Sequence, residues 1–127
     1  MNYQLMWKTL AGPPEELGDR LEAFSDAELK VVCATYVDAR TELVDALVRS
    51  GRSHGASEDV LDDLAEWLLM QGEATFEKRM FLQLALPARP SWGQLGRSLP
   101  SAAMGRTLRL RLKTDLLTVY DDVIAGS

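Results

Sequence analysis

From Ser25 to Ser50 the chain holds one helical register, with Leu29, Val32, Cys33, Tyr36, Val37, Leu43, Val44, Leu47 and Val48 recurring at steps of three and four residues. At 3.6 residues per turn such steps gather apolar side chains on one face, so the segment reads as a long core helix. Its start is marked as well. Ser25-Asp26-Ala27-Glu28 has the capping-box spacing, in which the Ser and Glu side chains each satisfy a backbone N–H that the first turn leaves open. Ser50-Gly51 closes the segment. A helix of this length must bury its stripe against other elements, and these decide the fold class.

The other elements read as helices too. Tyr3, Met6, Trp7 and Leu10 share one face behind a cap expected at Asn2, and Gly12-Pro13 ends that helix. Pro14-Glu15-Glu16 then opens a second short helix carrying Leu17, Leu21 and Phe24, with a proline and acids suited to a first turn. Ser57 caps a further helix with Leu61, Leu64, Trp67 and Leu68 on its buried side, and Gly72 marks either its end or a close packing point. Phe76, Met80, Phe81 and Leu84 resume the period.

Between Leu86 and Gly105 stand Pro87, Pro90, Gly93, Gly96, Pro100 and Gly105, a density of helix and strand breakers that predicts a long loop anchored by Trp92, Leu95 and Leu99. After it, Leu108-Arg109-Leu110-Arg111-Leu112 alternates like a strand, yet Leu108, Leu112, Leu116, Val119, Tyr120 and Val123 fit one helical face. No second strand is available to pair, so a single C-terminal helix is expected. The whole reading is all-α: one domain over residues 1–127, a compact bundle of about five helices with a Pro/Gly-rich loop before the last.

Charge narrows the partners. A net charge of −5 opposes general nucleic-acid binding, which rests on neutralising phosphates. No apolar run reaches the roughly 20 residues that span a bilayer, and the amino terminus has no secretory signal. A cytoplasmic protein is expected, and the lone Cys33, on an apolar stripe, fits a reducing compartment as a small buried hydrophobe. From Lys78 to Lys113, however, Lys78, Arg79, Arg89, Arg97, Arg106, Arg109, Arg111 and Lys113 occur with no acid among them. This tract reads equally as an anion-binding patch or as an internal partner for Asp59, Asp62, Asp63 and Glu66, which share one side of a helix and are expected to be a solvated acidic face.

The stretch Gly55 to Leu64, followed by Glu66-Trp67-Leu68-Leu69-Met70-Gln71-Gly72-Glu73-Ala74-Thr75-Phe76-Glu77, resembles the bacterial, largely actinomycete, domain-of-unknown-function family 4240. The shared pattern is an acidic helix start, a Trp-Leu-Ile-x-Gln-Gly-Arg core and a Phe/Tyr-Glu pair, with Glu73 standing here where Arg is usual. Met6-Trp7 looks like that family's amino-terminal Phe-Trp pair. The resemblance implies a compact helical fold and brings no reaction or ligand residues with it.

Two functions follow as expectations. The first is a small binding or regulatory module for a protein or a small anionic molecule, including the immunity-protein case, with Trp67, Gln71, Phe76, Trp92, Arg106, Arg109 and Arg111 as binding residues. The second is a small enzyme of the cyclase or isomerase type, with Glu73 or Glu77 beside a helix break as acid or base and Trp67 and Phe76 as walls. His54, in a glycine-flanked loop, is a lone base at best. One His and one Cys exclude the usual zinc set within one chain, and neither a P-loop nor a dinucleotide fingerprint occurs, so no metal and no cofactor are expected.

Overall fold

A computed structural model of the chain describes residues 1–50, 58–77 and 99–126, and the side chains of all of these except Glu58, Asp59 and Glu77. Among the described residues there are seven α-helices, one 3-10 turn and no strand. They are α1 (Tyr3–Leu10), the 3-10 turn Pro14–Glu16, α2 (Leu17–Glu22), α3 (Asp26–Arg49), α4 (Glu58–Met70), α5 (Glu73–Glu77), α6 (Pro100–Leu112) and α7 (Leu116–Ala125). The all-α expectation holds, with more and shorter helices than the five expected.

Local chemistry explains most boundaries. The Asn2 side chain accepts from Leu5 N–H at 3.0 Å at the head of α1. The capping box forms reciprocally: Glu28 N–H donates to Ser25 Oγ at 3.2 Å and Ser25 N–H to Glu28 Oε1 at 3.1 Å. These bonds to Ser25 hold the Glu28 carboxyl below its ordinary pKa. Gly72 adopts φ 108° and ends α4, which settles its role as a helix terminus.

The contacts divide the chain into two units, residues 1–38 with 100–127, and residues 39–99. The first unit buries Met6 and Trp7 of α1, Leu17 and Leu21 of α2, Leu29, Val32, Cys33 and Tyr36 of α3, Met104 and Leu108 of α6, and Val119 of α7. Two arginines reach backbone carbonyls at or beside helix ends within it, adding a donor to groups that the terminal turns serve less fully than a helix interior does. Arg20 donates through Nε to Thr9 O at 2.7 Å and through Nη1 to Pro13 O at 3.0 Å. Arg111 donates through Nη1 to Leu21 O at 3.4 Å and pairs through Nη2 with Asp26 Oδ1 at 2.5 Å. The buried hydroxyls of Thr9, Thr35 and Thr107 donate to carbonyls four residues back in their own helices, so each enters the core satisfied.

Three helices of this unit also meet at one carboxylate. Asp38 accepts from Tyr3 Oη at 2.5 Å and from Tyr120 Oη at 3.3 Å, which ties α1 and α7 to α3. The Tyr120 phenol is raised above its ordinary pKa, first by burial and then by the Asp38 charge beside it.

In the second unit, Ala39, Leu43, Ala46 and Leu47 of α3 are buried, as are Leu61, Leu64, Ala65, Leu68 and Leu69 of α4. Here the acidic stripe departs from expectation. Glu66 is buried, and its carboxylate lies 3.7 Å from the Arg40 guanidinium, while Asp62 and Asp63 are half-buried. The row of acids is therefore not a uniformly solvated face. Glu66 sits beside Ala65, Leu68 and Leu69 on the buried side of α4, and a charge placed there requires a counter-charge.

The loop expectation is corrected in part. Pro100 is the first residue of α6, where its missing N–H is no loss, and Gly105 lies inside the helix. Residues 86–98, with Trp92 and Leu95, lie outside the described residues. The single C-terminal helix is likewise two. Lys113 turns to φ 53°, Thr114 N–H returns to Leu108 O at 3.5 Å, and Asp115 caps α7 by accepting from Thr118 N–H at 2.8 Å.

Candidate functional site

Helix α6 carries Arg106, Arg109 and Arg111 and no acid. At 100° per residue, Arg109 and Arg111 project to nearly opposite sides. Met104, Thr107 and Leu108 are buried, so the side carrying Arg111 turns toward the unit's own interior, where it reaches Leu21 and Asp26. The other side is solvent. Arg106, Arg109 and Leu110 follow i, i+3, i+4 and form one exposed stripe, with Leu110 71% exposed, and Lys113 is exposed just past the end of the helix. No described residue forms an ion pair with Arg106, Arg109 or Lys113.

Helix α7 has an exposed stripe of its own. In α7, Leu117, Asp121 and Ile124 follow i, i+4, i+7 and are exposed, Leu117 by 62% and Ile124 by 46%. Lys113 and Leu117 are four residues apart, so no more than about 14 Å of chain separates them at the corner of the helical hairpin. Such a surface offers guanidinium forks and an ammonium for carboxylates or phosphates, with apolar side chains between them.

The other expected site residues fall in the second unit or outside the described residues. Trp67 and Phe76 are half-buried. Gln71 is exposed, its amide donating to Trp67 O at 3.1 Å, which commits the group to the end of α4. Glu73 is exposed in the first turn of α5, where a carboxylate suits the positive end of a helix. The Glu77 backbone ends α5, and its side chain, with the whole of His54 and Trp92, lies outside the described residues. Cys33 is fully buried, and burial pushes its thiol up to about 12, which removes it as a nucleophile.

Among the described residues no group of three or more His, Cys, Asp or Glu side chains is placed to hold a metal ion. Nor is any described helix long and apolar enough to cross a membrane. Sequence reasoning singled out the arginines and Lys113 but missed Leu110 and Leu117. The i, i+3, i+4 spacing of Arg106, Arg109 and Leu110 was the available signal, hidden by the strand-like alternation that overlaps it. The chain matches no protein-family model, no curated protein and no solved structure.

Proposed function

We propose that the protein is a non-catalytic binding module whose exposed α6 face docks an anionic partner, either an acidic protein surface or a small anionic molecule. One observation carries the reading: Arg106 and Arg109 are held on the solvent side of an acid-free helix, without a described acid beside them, while Arg111 of the same helix is used internally. Exposed cations are cheap to keep in water, and a row of them with no counter-charge raises the local concentration of anions. The net charge of −5 makes this row unlike the rest of the molecule and favours a polyanion of limited size over nucleic acid. A reducing, cytoplasmic setting agrees with a buried thiol that has no disulfide partner. The exposed position of Glu73 gives the enzymatic reading no support.

The test is a fluorescently labelled poly-glutamate peptide titrated with the full chain at low salt. Arg106→Gln with Arg109→Gln is expected to weaken binding about tenfold and to leave the melting temperature unchanged, since exposed charges contribute little to stability. Arg111→Gln should do the reverse, lowering the melting temperature and sparing the peptide. Equal affinity for wild type and the Arg106/Arg109 variant would sink the proposal.

A further inference from the structure

The α6–α7 hairpin is chemically two-sided. Helix α6 carries only cations, three of which counting Lys113 at its end are exposed, and α7 carries only acids, Asp121 and Asp122, both exposed. Exposed large apolar side chains are few among the described residues, namely Met1, Val48, Leu110, Leu117 and Ile124, and three of these five lie on this hairpin. A hairpin that exposes a cationic helix, an acidic helix and apolar side chains on both carries the charge complementarity that an isologous contact requires. In such a contact a two-fold axis places residue i of one copy on residue j of the other, and j on i.

We infer that the anion-docking face of α6 is filled by α7 of a second copy of this chain, forming a two-fold dimer. In it Arg106, Arg109 and Lys113 of each copy face Asp121 and Asp122 of the other, around Leu110, Leu117 and Ile124. The inference rests on the reading of α6 as a docking surface for anionic groups and names its occupant. Thirteen residues of α6 span about 20 Å and the ten of α7 about 15 Å, so the paired face falls at the small end of specific interfaces, and a dissociation constant of tens of micromolar is expected. Because the contact pairs exposed charges, it should weaken about tenfold between about 0.05 and 0.5 M salt.

Sedimentation of the full chain across a concentration series tests this. Wild type should pass from monomer to dimer and stop there. Leu117→Ser should be monomeric throughout while keeping the helical circular dichroism of wild type. Arg106→Glu with Arg109→Glu leaves both helices acidic, and Asp121→Lys with Asp122→Lys leaves both basic, so neither variant should self-associate. Mixed in equal amounts the two should form a heterodimer, because every facing row is then opposite in charge. A wild type that stays monomeric to about millimolar concentration, a double-Glu variant that dimerises as wild type does, a mixture that fails to associate, or growth beyond the dimer would each overturn the inference. The poly-glutamate titration repeated on Leu117→Ser separates the two readings. Retained peptide binding with no wild-type dimer removes the dimer alone, whereas lost dependence on Arg106 and Arg109 removes the docking face itself.

Discussion

Removing either member of the Arg40–Glu66 pair should have unequal effects. At 3.7 Å and an effective dielectric near 20, the attraction between the two charges is about 4 kcal/mol, offset by the desolvation of both. The offset is uneven, because the Glu66 side chain is 3% exposed and that of Arg40 15%. Arg40→Met keeps the apolar stem and takes the Arg40 counter-charge away from a buried carboxylate, which should cost about 3 kcal/mol, at the low end for a broken buried pair. Glu66→Leu strands a guanidinium on a long stem that can turn to water, and should cost about 1 kcal/mol. The double variant leaves no buried charge and should be no less stable than Glu66→Leu alone, a coupling of about 3 kcal/mol in the cycle. Urea unfolding followed by circular dichroism measures all four proteins, and for a chain of this size each kcal/mol corresponds to roughly 4 °C in melting temperature. If the two single losses simply add in the double variant, or if Glu66→Leu proves the more damaging, the account of a buried pair is wrong.

Three other outcomes are expected. The Tyr120 phenol, raised above its ordinary value of 10.0, stabilises the fold fully below that pH and loses its contribution as pH rises through the higher folded value. The melting temperature should therefore fall above about pH 10, and Tyr120→Phe should flatten that fall, with an unchanged alkaline slope counting against the Asp38 cluster. Cys33, with its thiol pushed up to about 12, should resist iodoacetamide in the folded protein and react fully in urea, and rapid native labelling would contradict its burial. Gly72 and Gly105 form a matched pair, since a Cβ at either would meet nothing within 4 Å and only Gly72 has positive φ. Gly105→Ala should stabilise by about 0.5–1 kcal/mol and Gly72→Ala should destabilise, as thermal melts of the two variants would show.

Helix starts and stops were legible because their chemistry is local. Asn2, Ser25 with Glu28, Gly12 and Gly72 each act on backbone groups within four residues, and a sequence window of that length contains both partners. The apolar stripe of α3 was equally legible, and with it the burial of Cys33, because periodicity alone selects the inward face. Pro100 and Gly105 misled the reading, since breakers are counted by composition while their effect depends on position. A proline at a helix start is neutral, and the glycine's cost of about 1 kcal/mol is offset by the burial of Met104 and Leu108 around it.

What the sequence determined by itself was therefore the all-α class, most of the helix caps and the existence of an acid-free basic tract. Tertiary structure decided the rest, because each remaining question involved partners distant along the chain. Arg111 finds Asp26 across 85 residues, Tyr120 finds Asp38 across 82, and Glu66 becomes a core residue through Arg40. Helical spacing could place Arg109 and Arg111 on opposite sides, but only the packing of α6 through Met104 and Leu108 fixed which side met solvent. That single rotational choice separates an arginine bonded to Leu21 and Asp26 from one exposed to solvent.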